Sequence, residues 1–510
     1  MTNRAKQWRK KAVRAAFLIH RWLGVGLGAL MLLWCLSGMV MLWKPWPQPD
    51  EQLARLAHEP LRFDRPPVLP DLHGSYRQFR LVMAGSVPVL QVMDDKAECR
   101  NYDLRTGQIL GREDIYPDPA ALAEVAGRYA ALEGETAPPV FRGLRRVDQW
   151  ILNTKGHDAG FYRFDFDSPR HTILYLSPLT GDVVQATTRK TRFWSWLGAI
   201  PHWLYFSQLR RYPVIWSDTL IILSGLGVTL TTLGLWIGLR RFRVGRRLSP
   251  YRGTHLIHHA AGSVFGLFLL SWILTGFLTM NPAGLMAHKP SPLWMSQWRG
   301  TLPASALTEI VAALTRVPDR PFRQIVVLPG AQGTRLAVTD AEGNSRRLDL
   351  TLAPSPLTVQ ELVDTMAQTG TRAEVTLLQN DDAYYFSTRH KRRVFPVFRL
   401  IGEDRARLYL DARSGEALLR IDTSEKGSRW VIYGPHDLDF FSWLRQPDAR
   451  LWIILPLLGG VSLICLSGLW IGVKRCRHRR HSPRGLTVQH VTDQEENYAA
   501  KQDRDAREPG

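Results

Sequence analysis

Cysteine is scarce. Four cysteines in 510 residues, Cys35, Cys99, Cys465 and Cys476, are too scattered for a disulfide framework or a Cys-x-x-Cys metal site. The Cys-x-x-Cys-His signature of covalently attached haem is therefore also missing. No glycine-rich dinucleotide fingerprint follows a strand and opens a helix, so the chain carries no nicotinamide or flavin domain of its own. The long apolar runs hold a single acidic residue, Asp218, and it stands at the mouth of one of them. That disfavours a proton-coupled transporter, which needs an acid well within a span. The basic excess, +20 overall, is not a nucleic-acid footprint, because the charge sits in clusters beside apolar runs.

Four runs are apolar and long enough to cross a bilayer as helices: residues 15–43, 216–239, 257–280 and 451–473. The first is too long for a cleaved signal peptide, and no small-x-small cleavage site precedes its proline-rich exit at Lys44-Pro45-Trp46-Pro47. Basic clusters occupy 1–14, 240–256 and 474–510. The positive-inside rule makes these cytoplasmic and anchors them to anionic lipid. Both termini are then cytoplasmic in a bacterial inner membrane, and 44–215 and 281–450 are periplasmic. Histidines 478, 481 and 490 belong to the basic tail and read as solvated.

The chain reads as duplicated. His20-Arg-Trp-Leu-Gly24 matches His258-His-Ala-Ala-Gly262, and the same register also pairs Gly28 with Gly266, Trp34 with Trp272 and Gly38 with Gly276. Further along, Pro201-His202 matches Pro435-His436 in a slightly shorter register, which also lays Gly234-Leu-Trp-Ile-Gly238 over Gly468-Leu-Trp-Ile-Gly472. Two spans per half keep the halves parallel. The expected fold is a four-helix membrane bundle built from two tandem repeats, with two external α/β domains. Within those domains, 119–132 and 357–369 have helical apolar spacing. Polar turns ending in Gly107, Gly181 and Gly415 follow β-prone runs. The aromatic segment 193–206 reads as an interfacial helix holding His202 at the rim of the bundle, with Phe440-Phe-Ser-Trp443 as its counterpart.

The duplication sorts the histidines into two pairs. His20 and His258 head the first and third spans, on the cytoplasmic side, while His202 and His436 precede the second and fourth, on the outer side. Two histidines facing each other from different helices are what six-coordinate haem iron needs, and a bundle supplies the apolar slot. Gly24 and Gly28 continue the stripe below His20, and Gly262 and Gly266 that below His258, which leaves room for a flat macrocycle. The bland alternative is a small-residue helix contact. His255 and His259 share helix faces with His258 and compete as ligands, or form a separate metal site with it. Trp34 and Trp272 read first as packing and second as an electron path between two haem planes. Filled coordination favours electron transfer over oxygen chemistry.

The His-Arg-Trp-Leu-Gly head, the Leu-Tyr-Leu…Gly turns, the Pro-His motif and the closing Gly-Leu-Trp-Ile-Gly resemble the PepSY-associated transmembrane family, which includes ferrisiderophore reductases, over nearly the whole chain. The resemblance implies two b-type haems held by His20, His258, His202 and His436, PepSY domains in the periplasm, and an oxidoreductase reducing a ferric siderophore, free or on its binding protein. Electrons would come from a cytoplasmic reductase or a membrane quinol, since the flavodoxin and reductase extension of some relatives is not found here. The external segments are long for such a protein, which leaves room for another periplasmic substrate. A non-redox role, with PepSY modules binding a partner protein and the histidines only anchoring, is the competing reading.

Overall fold

The computed structural model describes residues 3–112, 115–151, 158–242, 249–286, 292, 294–295, 298, 300–315, 322–330, 333–368, 370–388 and 391–481. Much of the basic segment between the second and third spans (243–248), and residues 482–510 of the tail with His490, lie outside them.

Four helices are long and apolar enough to cross a membrane. They run Asn3–Trp43, Pro213–Arg241, Gly253–Thr279 and Pro447–His481, and are called here the first to fourth spans. Pro213 stands in the opening turn of the second, where a missing N–H costs nothing. The first and third spans each pack against both the second and the fourth, so the first and third face each other diagonally. Between them lies an apolar interior that includes Leu27, Met31, Cys35, Leu230, Leu269, Ile273, Val461 and Cys465.

The sheets gather beyond one end of the bundle. Strands β1 (Ser75–Ala84), β2 (Val87–Asp94), β3 (Cys99–Asp103) and β4 (Ile109–Leu110) come from the first external segment, and β5 (Pro139–Arg145), β6 (Phe161–Phe166), β7 (Ile173–Leu176) and β8 (Val183–Thr187) follow a helix at Pro119–Leu132. The second external segment supplies β9 (Leu302–Pro303), β10 (Gln324–Leu328), β11 (Arg335–Thr339) and β12 (Ser345–Leu348). After the helix Val359–Gln368 come β13 (Ala373–Leu378), β14 (Val397–Gly402), β15 (Arg407–Asp411) and β16 (Ala417–Ile421).

The two segments do not fold apart, as two separate external domains would. β1 pairs antiparallel with β10, with Phe79 opposite Val327, and the result is one sheet ordered β12-β11-β10-β1-β2-β3-β4, with β9 also on β1. β5–β8 and β13–β16 form separate four-stranded sheets. Alternation along β1 sends Phe79 and Leu81 into one core, shared with Leu307 and Ile310 of the helix Ser305–Thr315. Val82 and Ala84 enter another core, with the helix Pro119–Leu132 and the strands β6–β8.

A polar lock ties that second core together. Arg80 on β1 donates two hydrogen bonds to Asp182, at 2.8 and 2.7 Å, and two more to the Gln324 side chain of β10. His58 meets Asp182 Oδ1 at 3.0 Å and the Met83 carbonyl at 2.9 Å. Burial by itself would raise the Asp182 carboxyl, but the charge and hydrogen bonds of Arg80, with His58, outweigh it and hold the group well below the usual carboxylate range.

Candidate functional site

Four histidines stand at the bundle, and two of them form a diagonal pair. His20 on the first span and His258 on the third face each other with ring centres 6.4 Å apart and planes at 46°. His20 Nδ1 lies 3.0 Å from the Leu230 carbonyl of the second span, and His258 Nδ1 lies 3.1 Å from the Ile464 carbonyl of the fourth. A carbonyl only accepts, so Nδ1 carries the hydrogen in both rings and Nε2 keeps a lone pair. Ser467 Oγ, 3.1 Å from His258 Nδ1, donates its own hydrogen to the Leu463 and Ile464 carbonyls and so accepts from the ring as well.

The neighbouring helices yield space to these rings. A Cβ on Gly234 would stand 2.6 Å from His20 Cε1, and one on Gly468 would stand 3.0 Å from His258 Cε1. Both glycines belong to the Gly-Leu-Trp-Ile-Gly motifs. The sequence marked those motifs as repeats without assigning them this task. Their register, which also lays Leu230 over Ile464, is the signal that ties them to the histidines.

Between the rings opens a cavity of about 650 Å³, lined by His20, His258, Gly24, Gly28, Gly262 and Gly266 among others. The four stripe glycines divide by task. A Cβ on Gly262 would meet nothing within 4 Å and one on Gly24 only Leu230 at 3.9 Å, so these two border open space. At Gly266 an added Cβ would stand 2.6 Å from Leu235, the helix-contact role of small residues, whereas at Gly28 it would meet Leu469 at an ordinary 3.7 Å.

His259 and His255 line the same cavity, and His259 is otherwise engaged. His259 Nδ1 meets Ser249 Oγ at 2.9 Å and its Nε2 meets the Gly238 carbonyl at 3.0 Å, so binding a metal would break a hydrogen bond. His255 is exposed and stacks on Tyr251. No cluster of three or more His, Cys, Asp or Glu side chains is gathered for a metal ion among the described residues, so a separate site of His255, His258 and His259 is not assembled.

The outer pair sits on short helices rather than on spans. In place of one interfacial helix over 193–206, the chain forms Arg189–Leu197 and Ala199–Trp203, broken at Gly198, and the second carries His202. His436 rides on Gly434–Asp437 after a π-turn at Arg429–Tyr433, the kind of local irregularity often found at functional sites. Each turn is closed by a leucine in the left-handed region, Leu204 at φ 49° and Leu438 at φ 51°, at a cost of about 1–2 kcal/mol apiece. His202 Nδ1 reaches the Trp34 carbonyl and Ser37 Oγ, both at 3.2 Å, and His436 Nδ1 reaches Thr275 Oγ1 at 2.9 Å. Ser37 and Thr275 each donate to a carbonyl of their own helix, so they accept from the rings. All four histidines thus share one arrangement, Nδ1 anchored and Nε2 without a hydrogen bond among the described residues. Ser37 and Thr275 went unremarked in the sequence, although they match each other in the register that pairs His20 with His258.

Trp34 and Trp272 stand at this outer pair. The Trp272 indole donates to the His436 carbonyl at 3.0 Å, and the Trp34 indole N–H is buried with no partner.

Two imidazoles bound through Nε2 to one metal at about 2.0 Å each have ring centres about 6 Å apart, close to the separation of His20 and His258. A bare ion would need further protein ligands, and none are gathered among the described residues. A metal macrocycle, which supplies most of its metal's ligands itself, would be held by His20 and His258 within the wide apolar slot, and the residues present suit it.

Comparison with known families matches residues 17–475 to the family described as PepSY-associated TM region, a stretch that takes in all four histidines. Comparison with curated proteins finds no match.

Proposed function

The chain belongs to the PepSY-associated TM family, and from that premise we propose that it is a two-haem b-type cytochrome of the bacterial inner membrane. In this reading it carries electrons outward to a ferric siderophore. One observation carries it: two histidines, each with Nδ1 tied to a backbone carbonyl, face each other across a slot of macrocycle size. The carbonyls hold each ring upright and make it a stronger donor. The anchoring of the outer pair by Ser37, Trp34 and Thr275 supports a second site of the same kind, as a tandem duplication would produce.

Haem, when bound, supplies a centre that accepts and passes on one electron. The protein's own part is to set two such centres at different depths. His20 and Ser37 are about 25 Å apart along the first span, at about 1.5 Å per residue. The basic ends 1–14 and 474–510 are taken as cytoplasmic, and the sheets as periplasmic. In this reading His20 and His258 would hold the centre that takes electrons from a cytoplasmic reductase or a quinol, and His202 and His436 would hold the one that passes them on beneath the sheets.

The test is a reduced-minus-oxidised visible spectrum of the purified protein, with haem counted by pyridine haemochrome. Two b haems per chain, falling to one in H20A or in H202A, are expected. A colourless protein from haem-replete cells would end the redox reading and leave the partner-binding one.

A further inference from the structure

The inner cavity holds a charge that no described residue neutralises. Arg21 follows His20 on the first span and lines the cavity with Arg14 and Arg475. Its Nε is buried without a hydrogen-bond partner, and among the described residues it forms no ion pair. Its guanidinium carbon lies 5.3 Å from the centre of the Trp22 ring, a contact that leaves the charge in place.

No counter-ion is at hand, because the sequence has no Asp or Glu at 1–49, 219–308 or 449–492, and every residue lining the cavity falls within those stretches. A guanidinium does not shed its proton, so an unpaired one within a span is costly. An anion supplied from outside the chain would meet this charge.

The two halves differ at this point. In the register that pairs His20 with His258, the place of Arg21 is taken by His259, whose two ring nitrogens are already engaged by Ser249 and Gly238. Of the residues lining the cavity, Arg14 and Arg21 on the first span and Arg475 on the fourth carry fixed charge; Arg252 and Arg241 hold the places that match Arg14 and Arg475, so Arg21 alone lacks an arginine counterpart.

We propose that Arg21, supported by Arg14 and Arg475, binds the carboxylates of the macrocycle held between His20 and His258 and turns its acidic edge toward the first and fourth spans. This rests on the haem reading above. Arg21 is a positioning residue: its forked donors match a carboxylate, and its charge favours the electron-rich state of the group beside it. A lipid phosphate is the other source of a suitable anion.

The test uses the full-length chain, depleted of haem and reconstituted with mesohaem or with its dimethyl ester, which lacks the carboxylate charge. Binding and midpoint potential are followed in wild type, R21Q and R21K. Wild type is expected to bind the free acid about tenfold or more tighter than the ester. R21Q is expected to lose that preference and lower the potential of the inner centre, and R21K to retain much of both. Equal binding of acid and ester by wild type, with an effect of R21Q that appears only in vesicles of anionic lipid, would assign the anion to lipid and overturn the proposal. So would an R21Q protein that keeps wild-type preference and potential. A wild-type chain that takes up no macrocycle at all would remove the haem reading itself.

Discussion

Gly234 decides whether His20 can occupy its place. In G234A the new methyl would stand 2.6 Å from the imidazole, so the ring must turn away from the Leu230 carbonyl. Haem content is expected to fall from two per chain to one, as counted by pyridine haemochrome. Gly262 gives the opposite case. Its added methyl meets no protein atom within 4 Å, so G262A is expected to leave the thermal midpoint of the haem-free chain unchanged. The methyl stands in the slot, however, and is expected to weaken haem binding. If G262A bound haem as wild type does, the slot would lie elsewhere.

At this scale the sequence displayed the histidines but not their tautomer. Matched residues set His20 and His258 side by side as counterparts, and these two rings do face each other. Nothing in a spacing shows that a carbonyl on a neighbouring helix faces Nδ1, or that Ser37 and Thr275 turn their lone pairs toward a ring.

Among the elements, the lock of Arg80, Asp182, His58 and Gln324 joins strands of both halves to the turn after β7. D182N removes the ion-pair partner of Arg80 at a site where Arg80 is 14 % and Asp182 36 % exposed, a loss of about 1–2 kcal/mol once solvent screening is allowed for. Near-UV circular dichroism during thermal unfolding measures it. The pH dependence follows from the sign of the shift. The folded Asp182 carboxyl lies well below its unfolded value of about 4, so its contribution is complete above that pH and fades as pH falls toward the folded value. The stability gap between wild type and D182N is therefore expected to be constant from pH 7 to 5 and to narrow only below about pH 4.

Elements with local signals were legible. The helix at Pro119–Leu132 and the four spans follow from apolar spacing. Gly107, Gly181 and Gly415 end their turns at φ 75°, 73° and 76°, the left-handed backbone that called for glycine. The break at Gly198 was not legible. It arises because the chain passes within van der Waals reach of Val40 and Met41 of the first span, a long-range contact.

For the whole molecule, the union of the two external segments is what sequence periodicity does not reveal. β1 is buried on both faces, yet nothing in its own residues names β10 as the neighbour, which the chain reaches only after the second and third spans. Halves separated between the second and third spans and produced together are expected to co-purify. The first half alone is expected not to accumulate, because its β1 edge has no mate. Accumulation of a stable, monomeric first half would mean that the shared sheet contributes little.

The same pairing sets a schedule for biogenesis. β1 leaves the ribosome roughly 10–50 s before β10 exists, at synthesis rates of about 5–20 residues per second. During that interval an apolar strand stands at an open edge outside the membrane while two further spans are still being inserted. Occupancy of that edge by a folding helper, or its rapid burial against lipid, becomes a requirement of making the protein. The yield of the mature chain is then governed by how quickly the third span follows the second.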